Sequence, residues 1–114
     1  MPKDDLVYIG HMLDKAMEAL NLAQGKSQAD YDRDKTLQLA LTFLIQVIGE
    51  AARHVSPGFR QLHPEVPWDA IMGMRHKIVH DYMDVDEDIG WDTVTEELAP
   101  LIETLKKLMP SESC

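Results

Sequence analysis

The sequence predicts an all-α protein, a single-domain bundle of four to five helices. Apolar residues recur at three- and four-residue spacing along most of the chain, and no segment alternates with the period of two that a half-buried strand requires. The 114 residues suffice for one apolar core, whereas two domains of half that size would each bury too little surface to fold alone. The expected domain covers residues 1–109, followed by a short polar tail, residues 110–114.

The first helix is expected over residues 4–24, where Leu6, Ile9, Leu13, Ala16, Met17, Leu20 and Ala23 share one face and Gly25 supplies a stop. A second, from about Asp34 to His54, is apolar almost all round and must therefore be covered on more than one side. Its polar exceptions, Gln38, Thr42, Gln46 and Glu50, recur every four residues and form one stripe suited to a polar cleft. Ser56-Pro57-Gly58, Pro64 and Pro67 leave room only for a short helical turn around Phe59 to Leu62. A third long helix starts near Trp68, with Ile71, Met74 and Ile78 facing the core and Met72 and Val79 forming a second apolar strip that suits a partner subunit. The last helical region begins at Val85 to Asp88 and carries Ile89, Trp91, Val94, Leu98, Leu101, Ile102, Leu105 and Leu108, kinked or restarted near Pro100.

Composition narrows the function. No run approaches the roughly 20 apolar residues of a membrane span, and the first residues lack the apolar stretch of a signal peptide, so a cytoplasmic protein with no membrane partner is expected. The single cysteine, Cys114, allows neither an internal disulfide nor a cysteine metal cage. A net charge of -9 opposes non-specific binding to polyphosphate. The charge is unevenly placed, however. Residues 53–80 hold Arg53, Arg60, Arg75 and Lys77 against Glu65 and Asp69, together with four of the five histidines, whereas residues 81–103 hold nine acids and neither Lys nor Arg.

Within the basic window, Gly73-Met74-Arg75-His76-Lys77-Ile78-Val79-His80-Asp81-Tyr82 brings a fixed cation, two histidines and a phenol into ten residues. The pattern Arg-x4-His-x-Tyr resembles the signature of HEPN ribonucleases in their HepT-like form. Ile48-Gly49-Glu50-Ala51, Pro67-Trp68 and the stretch from Trp91 through Pro100 extend the resemblance along most of the chain. It implies a homodimeric HEPN bundle that cuts RNA without a metal or other cofactor, with Arg75 and His80 as catalytic residues. The residue types suit that chemistry: a guanidinium can hold a phosphate by two hydrogen bonds, and an imidazole can take or give a proton near neutrality. The resemblance further implies a minimal nucleotidyltransferase as antitoxin, able to attach AMP to Tyr82.

Spacing sets conditions on this picture. On one straight helix Arg75 and His80 would point about 140° apart. Either the helix loosens before His80 or two subunits share the site, and the second is the expectation. Were the helix to continue, Tyr82 would sit on the face of Arg75. His76 stands where the family usually has Asn and shares a face with His80, so it could assist or orient substrate, and Glu50 is a candidate partner that fixes Arg75. Two metal readings are weaker. His76, His80 and Asp84 stand at helical steps suited to a divalent ion, while the calcium-loop likeness of Asp84 to Asp88 fails at Ile89 and Thr95. The alternative of another class is a non-catalytic helical partner of a nucleotidyltransferase.

Overall fold

In the computed structural model, residues 3–81, 84–85 and 87–109 are described, with the backbone alone at residue 3, residues 75–81, 84–85 and 87. The architecture is all-α. Helix α1 (Lys3–Ala23) is followed by α2 (Gln28–Arg33), α3 (Lys35–His54), α4 (Pro57–Leu62) and α5 (Trp68–Ile78). A minimal antiparallel pair, β1 (Val79–Asp81) and β2 (Asp84–Val85), then precedes a helical arm made of α6 (Glu87–Asp92), a π-helical turn (Thr93–Glu97) and α7 (Leu98–Leu108).

Local chemistry explains most boundaries. Asp4 and Asp5 occupy the first turn of α1, where carboxylates meet the positive end of the helix dipole, and Gly25 ends it with φ +78°, a conformation glycine adopts without strain. Ser27 and Asp30 form a reciprocal capping box that starts α2, a helix absent from the sequence-based expectation. Asp34 caps α3 by accepting from the Leu37 N–H at 3.0 Å, and Ser56 caps α4 with Pro57 in its first turn. The expected break near Pro100 takes the form of the π-helical turn just before it. Glu97 departs to φ -111° there, while Asp92 and Leu98 keep ordinary helical angles. A proline inside a helix removes one backbone hydrogen bond and crowds the preceding turn, and widening that turn is one way to accommodate it.

The core lies where α1, α3, α5 and α7 meet. Helix α1 packs between α3 and α7, and α3 lies between α1 and α5. The buried face of α1 is Ile9, Met12, Ala16, Ala19 and Ala23; Met17, expected inside, is 41% exposed. The face is turned because α1 must satisfy two neighbours at once. Asp5 is buried, and its two carboxylate oxygens accept from the Ser56 N–H and hydroxyl, each at 2.8 Å. That bond ties the first turn of α1 to the start of α4. Tyr31 is fully buried with its ring 4.9 Å from Trp91, which joins α2 to α6.

Candidate active site

The seat of α5 is made by backbone. The Trp68 N–H donates to the Val66 carbonyl at 2.8 Å, the indole N–H donates to the His63 carbonyl at 2.9 Å, and Ile71 N–H closes the first turn onto the Pro67 carbonyl at 3.0 Å. Against α3, a Cβ placed on Gly49 would come within 3.1 Å of the Ile71 carbonyl oxygen, so the missing side chain is what lets the two helices touch. Ile45, Ile48, Ile71, Met74, Leu98 and Leu101, with Thr93 and Glu97, line a small, mostly apolar and partly open cavity of about 50 Å³ behind α5. That space is far below the several hundred Å³ of a ligand pocket. A nucleic acid would have to engage the outer surface.

The motif segment begins on this helix and leaves it. Arg75 and His76 lie on α5, whose last residue is Ile78, and His80 lies on β1, with Val79 paired to Val85, Asp81 paired to Asp84 and an irregularity between them. Consecutive β-branched residues favour extended backbone, and Val79 finds a strand partner in Val85. The helix therefore ends before His80, the first of the two arrangements that the spacing left open. The helical face shared by His76, His80 and Asp84 is not formed, and neither is the continuation that would set Tyr82 beside Arg75. Tyr82 itself lies outside the described residues, as does the tail at 110–114.

The polar stripe of α3 divides into parts with different roles. Gln38 is buried, and its side-chain amide donates to the Tyr31 carbonyl at 2.9 Å and the Asp32 carbonyl at 3.2 Å, holding the end of α2 rather than lining a cleft. Glu50 is exposed and lies 3.4 Å from His54 one turn along its own helix. Because α3 and α5 run antiparallel, with Gly49 level with Ile71 and Ile45 beside the same cavity as Met74, the turn of α3 level with Arg75 holds Thr42 and Gln46. Both are partly exposed. At Gly73 an added Cβ would meet no described atom within 4 Å, in keeping with open space beside the motif.

Two features had little sequence signal. Arg60 reaches from α4 to α5, with Nη1 3.0 Å from the Met72 sulfur. Met72 is partly buried against the core, and the side chain of Val79, the other member of the second strip expected of α5, lies outside the described residues. An exposed apolar pair lies on α3, where Leu39 and Phe43 are each 62% exposed, and Leu62 at the end of α4 is exposed as well. Near α5 the Glu65 carboxyl is held below its usual range, chiefly by its own backbone N–H, with a smaller contribution from His63 at 3.3 Å.

The model of the family described as ribonuclease HepT-like matches residues 12–108, which span every motif residue. The chain belongs to the HepT-like ribonuclease family. It is 32% identical over 105 residues to a protein named "Putative RNase" in Caldanaerobacter subterraneus subsp. tengcongensis, covering 92% of this chain and 94% of that one. It is 38% identical over 79 residues to the "Probable ribonuclease HepT" of Thermococcus cleftensis, covering 69% and 72%. A "Putative RNase" of Methanocaldococcus jannaschii is 26% identical over 110 residues, covering 96% and 91%. No solved structure matches the chain. As a HepT-like chain it carries the arginine and histidine of the motif on two different backbone elements, and no helix among its described residues is long and apolar enough to cross a membrane.

Proposed function

We propose that this chain is a metal-independent RNA endonuclease, the toxin of a toxin–antitoxin pair. The observation that carries the reading is the family match over residues 12–108, a span that includes Arg75, His80 and Tyr82. Arg75 holds the scissile phosphate and offsets the charge that grows on its oxygens as the ribose 2'-oxygen attacks. The new 2'-O–P bond forms as the P–O5' bond breaks, leaving a 2',3'-cyclic phosphate and a 5'-hydroxyl. His80 takes the 2'-hydroxyl proton, and His80 of a second copy gives a proton to the departing 5'-oxygen. His76 orients the substrate, while Glu50, engaged with His54 on its own helix, is left out of the site.

Two copies make the paired histidines available, and the exposed Leu39 and Phe43 supply the apolar surface on which they would associate. Control is assigned to Tyr82. Its phenolic oxygen attacks the α-phosphate of ATP on a minimal nucleotidyltransferase antitoxin, pyrophosphate leaves, and the attached AMP sets negative phosphate against Arg75.

Purified protein is expected to cleave RNA in the presence of chelator and to leave cyclic-phosphate ends. His80→Ala should slow cleavage about 100-fold or more. Undiminished cleavage by that variant would refute the assignment. The net charge of -9 favours a second reading, a non-catalytic partner of a nucleotidyltransferase. That reading requires a complex that survives Arg75→Ala and His80→Ala, with no cyclic-phosphate product from wild-type protein.

A further inference from the structure

We propose that Arg60 is a second phosphate-binding cation of this site, seating the RNA backbone about one helical turn from Arg75. The inference rests on the ribonuclease reading above and adds a residue to it.

The position of Arg60 is fixed from below. It lies in α4, whose start is capped by Ser56 accepting from the Phe59 N–H at 3.2 Å, and Ser56 is itself bonded to the buried Asp5. Phe59 is buried beside it. From that anchor the guanidinium crosses to α5, where Nη1 comes within 3.0 Å of the Met72 sulfur and Nε is buried with no hydrogen-bond partner. A thioether is a weak acceptor, and a guanidinium carries five N–H donors and a permanent charge. The chain holds 20 acids against 11 Lys and Arg, yet among the described residues Arg60 forms no ion pair. Even Asp69, which borders the same open cleft, is not paired with it. A cation so placed lacks an oxyanion.

Its location says which oxyanion. Arg75 and His76 are three and four residues on from Met72, within the helical span of α5, so they occupy the next turn of the face that Met72 marks. Arg60 is thus delivered by another element to the motif's own side of α5. Adjacent phosphates of one RNA strand are the ligand that would engage two guanidinium groups in such a row, one at the scissile position and one upstream or downstream of it.

The test is binding of full-length protein to a 2'-O-methyl RNA, which lacks the attacking hydroxyl, across a series of salt concentrations. Arg60→Met should bind about tenfold more weakly, with the slope of log K against log salt reduced by about 0.7, the loss of one single-strand phosphate contact. In cleavage, KM should rise with kcat held within about twofold, because a contact kept equally in ground and transition states is removed. Arg60→Lys keeps the charge and Arg60→Gln discards it while staying polar. Near-wild-type binding by Arg60→Lys with weak binding by Arg60→Gln sustains the proposal, and these two decide it should Arg60→Met fail to fold. Wild-type affinity and slope in both Arg60→Lys and Arg60→Gln overturn it while leaving the ribonuclease reading intact. Wild-type protein that neither binds nor cuts RNA overturns both.

Discussion

The joint between α1 and α4 and the joint between α3 and α5 use different materials. At the first, a buried carboxylate accepts two 2.8 Å hydrogen bonds from one serine, an arrangement whose strength depends on charge and direction. At the second, backbone meets backbone where Gly49 has no side chain, over an apolar cavity, and the quantity that matters is volume. The first joint lies at the start of the framework, and the second sets the height of the helix that carries Arg75 and His76. Substitutions at the two joints should therefore separate stability from activity.

The largest contrast pairs His80→Ala with Asp5→Ala. The former should lose about 100-fold or more of the cleavage rate with little change in melting temperature, since the role tested is proton transfer. The latter leaves the Ser56 N–H without its charged acceptor, a loss of about 2 kcal/mol, which lowers the melting temperature by roughly ten degrees. Cleavage per folded molecule should be unchanged. If Asp5→Ala instead lost activity while melting normally, the division between the two joints would be wrong.

Next in size is Phe43→Glu. This residue is 62% exposed, so a charge there leaves the bundle folded, but it should disperse a dimer formed across Leu39 and Phe43 and reduce cleavage about tenfold or more. Sedimentation at the working concentration checks the oligomeric state; a variant that remains dimeric and active would remove this face from the dimer. Gly49→Ala follows. With the Ile71 carbonyl 3.1 Å from the new Cβ, α5 must shift by a few tenths of an ångström, at a cost of about 1 kcal/mol and a severalfold loss of rate. Equal stability with wild-type rate would show that α5 moves freely on α3.

How legible these features were in the sequence follows from how local their causes are. The long helices, the stop at Gly25, the start of α5 at Trp68 and the disturbance before Pro100 all announce themselves through spacing and through Gly and Pro. Helix α2 was missed although Ser27 and Asp30 spell out a capping box, because six residues give no apolar period to read. Asp5 is not singled out by the sequence; its partner stands 51 residues away, and nothing near it foretells burial. Gln38 looked like part of a cleft because a stripe predicts a face but not the neighbour that covers it. The motif residues were visible as a pattern, and the end of α5 at Ile78 was one of two possibilities that spacing alone could not separate. Arg60 belonged to the basic window, but only the packing of α4 on α5 brings it to the motif's side.

The smallest effect expected is an acid-induced loosening of α2, and it shows how far a local device reaches. The Asp30 carboxyl is held below its ordinary range, first by the Ser27 backbone N–H at 3.0 Å and then by the Ser27 hydroxyl, with Arg33 and Lys26 adding to it. A carboxylate whose folded value is depressed stabilises the fold fully above its ordinary range, and that contribution fades as the pH falls through the lowered value. At neutral pH the cap is therefore complete, and in acid the last of it is lost. Because Tyr31 of α2 packs on Trp91 and Gln28 bonds Asp88 at 3.1 Å, fraying of α2 exposes one face of Trp91. Tryptophan fluorescence should shift slightly to the red at acid pH before far-ultraviolet circular dichroism reports any global loss of helix. In Ser27→Ala the shift should already be present at neutral pH and should depend less on acidity. A Ser27→Ala chain that retained the full acid-dependent shift would assign the change to another carboxylate and leave α2 without this pH dependence.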